Sequence, residues 1–245
     1  MKKLFKFLSV LAIWISVWYI IARIVNAEYL IPYPHIVIKT LGQLALTGDF
    51  WHACLSSLFG VLCGIIIGTV FGVIIAVLSS ISEYSDSLLS PLVAIIKATP
   101  VASFILLALI FLKKGYVPTF VSALIVIPIT SKNVQTGIQN TDKNLLEAAR
   151  VFNMNKRTRL KYIYLPSVLP HFASAMITSI GMAWKAGIAA EVICSPHNTI
   201  GYFLYRTKIY FDTPALFAWT LCVIVLSFII EKIVGQLLKR VKNES

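Results

Sequence analysis

Acidic residues are scarce in this chain: ten Asp and Glu stand against 22 Lys and Arg among 245 residues. Charge of either sign occupies 13% of positions, about half of what a water-soluble domain carries. That shortage excludes an ordinary soluble globular domain. Histidine is equally sparse, and His171 and His197 have no partner at metal-ligand spacing, so no metal site is read from the sequence. The four cysteines, Cys54, Cys63, Cys194 and Cys222, lack metal spacing and mostly sit in or beside apolar runs, as buried free cysteines do; a Cys54–Cys194 disulfide stays open. No glycine-rich loop ending in Gly-Lys-Ser/Thr occurs, so nothing here is built to cradle nucleotide phosphates.

What fills the space is apolar sequence, 58% of the residues with a mean hydropathy of +0.83. Several runs reach the roughly 20 residues that cross a bilayer as a helix, and backbone groups in lipid must satisfy one another. The expected fold is all-α, a polytopic membrane protein of about six transmembrane helices forming a single domain over 1–245, with its core at about 55–236. The formal charge of +12 does not indicate nucleic acid. Its carriers gather at the ends of apolar runs, at Lys2, Lys3 and Lys6, from Lys156 to Lys161, and at Lys239, Arg240 and Lys242, as cytoplasmic loops of membrane proteins do.

The expected spans are Leu4 to Val25, Leu55 to Ser80, Leu92 to Leu112, Val117 to Thr130, Ser167 to Ile193 and Pro214 to Val234. The first is longer than a signal-peptide core of about 7 to 15 residues, so Val25-Asn26-Ala27 is read as following an uncleaved helix. The residues between Pro34 and His52 are read as an external segment with a short interfacial helix. Six spans put both termini, and a polar excursion from Ser131 to Pro166, on the cytoplasmic side. In the second span Ser56, Gly60, Gly64, Gly68, Gly72, Ala76 and Ser80 recur every four residues, which keeps them on nearly one face and lets a neighbouring backbone approach.

The excursion reads as two short helices. Asp142 can cap the first, whose Leu145, Ala149 and Phe152 share an apolar face, and Asn153 can end it in the left-handed conformation. Asn155 can cap the second, which Leu165-Pro166 ends. Its first turn carries Lys156, Arg157 and Arg159, where cations oppose the helix dipole, so these residues serve retention, lipid phosphates or an acidic partner.

Glu147-Ala148-Ala149, then Asn153 after three residues, then Ile163-Tyr164-Leu165-Pro166 after nine more, resembles the cytoplasmic signature of permease subunits of bacterial ABC importers, with Asn153 in place of Gly. Pro32 and Pro34, Lys97 with Pro100, Met182-Ala183-Trp184 with Glu191, and Ile200-Gly201 resemble further elements of the branch that handles nitrate, taurine, aliphatic sulfonates, bicarbonate or thiamine-precursor pyrimidines. Thr199-Ile200-Gly201 stands where that branch has Gly-Leu-Gly.

The resemblance implies a non-catalytic permease subunit in a bacterial inner membrane, passing a small solute delivered by an external binding protein. A coupling loop at about 137–166 would dock through Glu147, Ala148, Ala149 and Asn153, with Ile163, Leu165 and Pro166 at its exit, onto a cytoplasmic ATPase dimer. That dimer, not this chain, would hold ATP and Mg. A second copy of the permease, with a sister permease as the alternative, is the implied partner in the bilayer. The rival is an ion-coupled secondary carrier, which would need coupling acids in the spans; only Glu191 approaches that description. A membrane enzyme has no His, Asp or Ser cluster at a membrane boundary to support it.

Ionisable residues in spans are costly and face an interior or a cavity. Lys97 and Lys185 therefore either lend positive potential to an anion path or pair and snorkel as ordinary structural lysines. Lys185 and Glu191 lie about 120° apart on a helix and do not neutralise each other along one face. Pro100, Trp184 and Glu191 are the further candidates for the substrate path, with packing the favoured reading of Trp184 over a substrate platform.

Overall fold

The computed structural model describes residues 2–243, with the side chains of residues 2–4, Phe7 and residues 237–243 outside the description. The terminal cations Lys2, Lys3, Lys239, Arg240 and Lys242 fall among these. Helices α1 (Lys2–Val25), α2 (Pro34–Ala45), α3 (Gly48–Ser79), α4 (Glu83–Ala98), α5 (Val101–Phe111) and α6 (Val117–Gln139) make up the first half. Then come α7 (Lys143–Val151), α8 (Lys156–Arg159), a π-helical turn (Leu160–Tyr164), α9 (Leu165–Cys194), α10 (Ile200–Ile209) and α11 (Thr213–Asn243).

Helix α3 has 32 residues, about 48 Å at 1.5 Å per residue. It starts at Gly48 rather than at Leu55, so the helix extends seven residues before the expected span and carries His52. Its glycines set the centre of the molecule. A β-carbon added to Gly64 would fall on Thr119 O of α6, one on Gly68 would stand 2.5 Å from Ala123 O, and one on Gly72 would stand 2.8 Å from Thr130 Cβ. Gly60 is looser, with Thr119 Oγ1 at an ordinary 3.5 Å from such a carbon. Helix α9 closes the trio from the other side: a β-carbon on Gly187 would meet Val61 of α3 at 2.5 Å and Ser122 of α6 at 2.7 Å. Ser122 Oγ donates to Ala183 O at 3.2 Å.

Contacts at Gly60 with Thr119 and at Gly72 with Thr130 show that α3 and α6 run parallel. The chain must therefore return between them, over about 29 Å from Ser79 back to the level of Gly60, close to the ~30 Å hydrocarbon thickness. Helices α4 and α5 make that return as a pair bent by 102°. The expected continuous span from Leu92 to Leu112 is thus corrected to a broken one. Pro100 drives Thr99 into extended backbone, ψ 130°, and ends α4 before α5 begins. Among the described residues five helices are long and apolar enough to cross a membrane, and the bent pair makes six.

Helix α1 stands at the rim: among its described side chains Ala22 alone is buried, and Phe5, Ile13 and Trp14 are exposed as lipid-facing residues are. Around the glycine core, Phe50, Ile65, Ile180, Trp184, Ile188 and Trp219 form the main buried cluster.

Candidate functional site

Two regions gather polar residues at opposite ends of the bundle. At one end α6 runs on to Gln139, so the excursion is shorter than Ser131 to Pro166: it consists of α7, α8 and their elbow. Asp142 Oδ1 accepts from the N–H of Asn144 at 2.8 Å and starts α7. Asn153 adopts the left-handed conformation with φ 49° and stops it. The N–H of Met154 then returns to Ala149 O at 2.9 Å, locking the elbow. Asn155 Oδ1 accepts from the N–H of Thr158 at 2.8 Å and starts the next helix.

That next helix does not end at Leu165-Pro166. Helix α8, the π-turn and α9 form one continuous span of 39 residues, Lys156–Cys194, which corrects the expectation of a separate second helix. Proline at position 166 offers no N–H and crowds the carbonyl four residues before it. One wider turn from Leu160 to Tyr164 absorbs that crowding. The elbow is therefore rigidly joined to the helix that packs in the centre of the bundle.

Of the expected apolar face of Leu145, Ala149 and Phe152, Ala149 alone is covered. Ala149 is buried, whereas Leu145, Glu147, Ala148, Val151, Phe152 and Asn153 are exposed. Ala149 thus supports the elbow from inside, and Glu147 and Ala148 lie on its open side. Ile163 is buried beneath, while Leu165 and Pro166 are exposed.

At the other end, α9 stops at Ser195 in the left-handed conformation and the chain re-enters as α10. The first three N–H groups of α10 each find a partner. Ser57 Oγ of α3 accepts from Ile200 at 2.9 Å, Glu191 Oε2 of α9 accepts from Gly201 at 3.0 Å, and Thr199 Oγ1 accepts from Tyr202 at 3.2 Å. Ser57 Oγ in turn donates to Glu191 Oε2 at 2.7 Å. A carboxylate at a helix N-terminus also meets the positive end of the helix dipole. Gly201 is required by closeness, because a β-carbon there would fall on the Glu191 side chain.

Glu191, a pathway candidate from the sequence, is in the structure a 1%-exposed tie between α3, α9 and α10. Ser57 and Gly201 were missed as partners, since nothing in their spacing reveals a contact across 134 or 10 positions. Trp184 is equally buried and donates from Nε1 to Val223 O of α11 at 3.2 Å. Lys97 and Lys185 are both exposed, Lys97 in the last turn of α4 beside the break at Pro100 and Lys185 on α9. Cys54 lies against Cys222, sulfurs 3.5 Å apart, rather than against Cys194, which packs with Ile105 and Ala186.

Residues 68–243 match the family described as binding-protein-dependent transport system inner membrane component. The chain is 24% identical over 92% of its length to a Bacillus subtilis protein named as an aliphatic sulfonates transport permease, covering 79% of that protein. It is 27% identical over 64% of its length to the bicarbonate transport system permease of Synechococcus elongatus, covering 57% of that protein. Its fold superposes with a TM-score of 0.62 on a chain of a bacterial alginate ABC transporter solved in complex with an alginate-bound periplasmic protein, at 15% identity, over 98% of this chain and 94% of the other. With its six apolar crossings and glycine-packed core, the chain belongs to the family of binding-protein-dependent transport system inner membrane components, the non-catalytic permease subunits of ABC importers.

Proposed function

We propose that this permease imports a small organic or inorganic anion, of the sulfonate, taurine, nitrate or bicarbonate kind, and that the α7–α8 elbow receives the motion of a separate cytoplasmic ATPase dimer. The carrying observation is mechanical. The elbow is short, capped at Asp142 and Asn155, turned at Asn153, and continuous through the π-turn with α9, so force applied at Glu147 and Ala148 reaches the packed centre without a flexible joint. ATP and Mg belong to the ATPase, and an external binding protein presents the solute.

Charge supports the orientation. Lys156, Arg157, Arg159 and Lys161 stand at the elbow end, which makes that end, and with it both termini, cytoplasmic by the positive-inside tendency; the α10 end faces outward. Lys97 and Lys185 are the cations available to an anion path, and Pro100 shapes the break beside the first. The printed names of the sulfonate and bicarbonate relatives support the class of cargo. A second copy completes the membrane unit by two-fold symmetry.

Reconstitution tests the reading. In liposomes carrying the permease with the ATPase and binding protein of its system, uptake should require ATP and persist when ion gradients are collapsed. Uptake that follows an ion gradient without ATP would overturn it. Replacing Lys97 and Lys185 together with Met should cut uptake of an anionic solute at least tenfold; unchanged uptake removes both lysines from the path.

A further inference from the structure

Two of the four cysteines meet in space although 168 positions separate them in the chain. Cys54 is on α3 and Cys222 on α11, each 6% exposed, with their sulfurs 3.5 Å apart. The surroundings are well ordered by packing: Phe50 lies about one turn before Cys54, and its ring sits 5.0 Å from that of Trp219, three residues before Cys222. Helices α3 and α11 meet here through side chains, unlike the backbone-close trio of α3, α6 and α9. A disulfide needs sulfurs at about 2.05 Å. The sulfurs stand about 1.5 Å beyond that, so the bond requires side-chain rotation together with an adjustment of the two helices.

We propose that Cys54 and Cys222 form an oxidation site, whose disulfide staples α11 to the glycine-packed core near the α10 end of the bundle. Both S–H bonds are lost as the S–S bond forms. The two electrons and two protons pass to a disulfide-bearing oxidant, which leaves as a dithiol. Thiol–disulfide exchange proceeds through a mixed disulfide on one of the two sulfurs, resolved by the other. In the proposed orientation the pair lies in the outer half of the membrane, on the side where disulfides persist. The geometry of the pair does not depend on that orientation or on the cargo.

The staple closes a long loop, the case in which a cross-link most restricts the unfolded chain. It therefore raises the resistance of the helix bundle to heat without touching the elbow or the lysines.

The experiment uses the full chain in detergent with Cys63 and Cys194 replaced by Ser. It is oxidised by oxygen with copper phenanthroline, denatured, and its thiols counted with a maleimide reagent. Both remaining thiols should disappear, return on reduction, and be accompanied by a melting temperature several degrees above the reduced form; Cys222→Ser should leave Cys54 reactive. Persistence of both thiols under conditions that fully oxidise a surface cysteine pair would overturn the site, and a link without a rise in melting temperature would overturn the staple. Should the double Ser background fail to fold, peptide mapping of the oxidised wild-type chain decides. A linked Cys54–Cys222 peptide supports the proposal, and a Cys54–Cys194 link or none refutes it.

Discussion

Glu191 carries more of the architecture than any other charged residue described, because one of its oxygens serves both Ser57 and Gly201. Glu191→Ala leaves the buried Gly201 N–H and Ser57 hydroxyl without that acceptor, at a cost of about 1–3 kcal/mol. The variant should melt several degrees lower in detergent, and Glu191→Gln, which keeps an acceptor oxygen, should recover part of the loss. Equal melting of wild type and Glu191→Ala would show that the tie is not holding α10. Gly68 tests close packing instead. Gly68→Val places atoms where Ala123 O and Val126 Cβ stand, at 2.5 and 2.7 Å from the first added carbon, and overpacking of this sort costs about 1–3 kcal/mol or more. Gly60→Ala, with its ordinary 3.5 Å contact, should be nearly neutral in the same melting assay.

Prolines show how much of each element could be read in advance. Pro91, Pro128 and Pro170 lie inside helices, Pro166 is absorbed by a π-turn, and Pro100 breaks its span by 102°. Local sequence treats these alike, because the outcome depends on whether neighbouring helices leave room for a bend. The four-residue glycine spacing of α3, the caps at Asp142 and Asn155 and the turn at Asn153 were legible, since each depends on one residue's own backbone or side chain. The Glu191–Ser57–Gly201 tie and the Cys54–Cys222 contact were not, since they arise only when α3, α9, α10 and α11 come together. The burial of Ala149 was hidden too, although the Met154 N–H that closes the elbow lands on its own carbonyl. The π-turn makes an element-scale prediction. Pro166→Ala removes the steric reason for the wide turn; reversion to α-helix would rotate α8 and the elbow by about 100° relative to α9. Uptake should fall severalfold while the amount of permease in the membrane stays unchanged, and unaltered uptake would show that the turn does not set the elbow's direction.

At the scale of the whole molecule, parallel α3 and α6 with a bent return between them fix an even number of crossings, so the elbow and the turn at Lys113 and Lys114 lie at opposite ends. In a chain cleared of native cysteines, Lys114→Cys should react with a membrane-impermeant maleimide applied to intact cells lacking an outer barrier, and Asn140→Cys should react only after the cells are opened. The reverse labelling would invert the proposed orientation. In the proposed orientation the exposed side of the elbow is presented to the cytoplasm, with Glu147 exposed on it and Ala149 buried. This makes Glu147→Lys a cleaner probe of docking than any change at Ala149, which would disturb the elbow from within. The most direct measurement is solute-stimulated ATP hydrolysis by the reconstituted complex of permease, ATPase and loaded binding protein, comparing wild type with Glu147→Lys at matched membrane levels. Hydrolysis that loses its stimulation by loaded binding protein, together with weaker co-purification of the ATPase, is the predicted result; stimulation and co-purification equal to wild type would contradict the elbow's role in coupling.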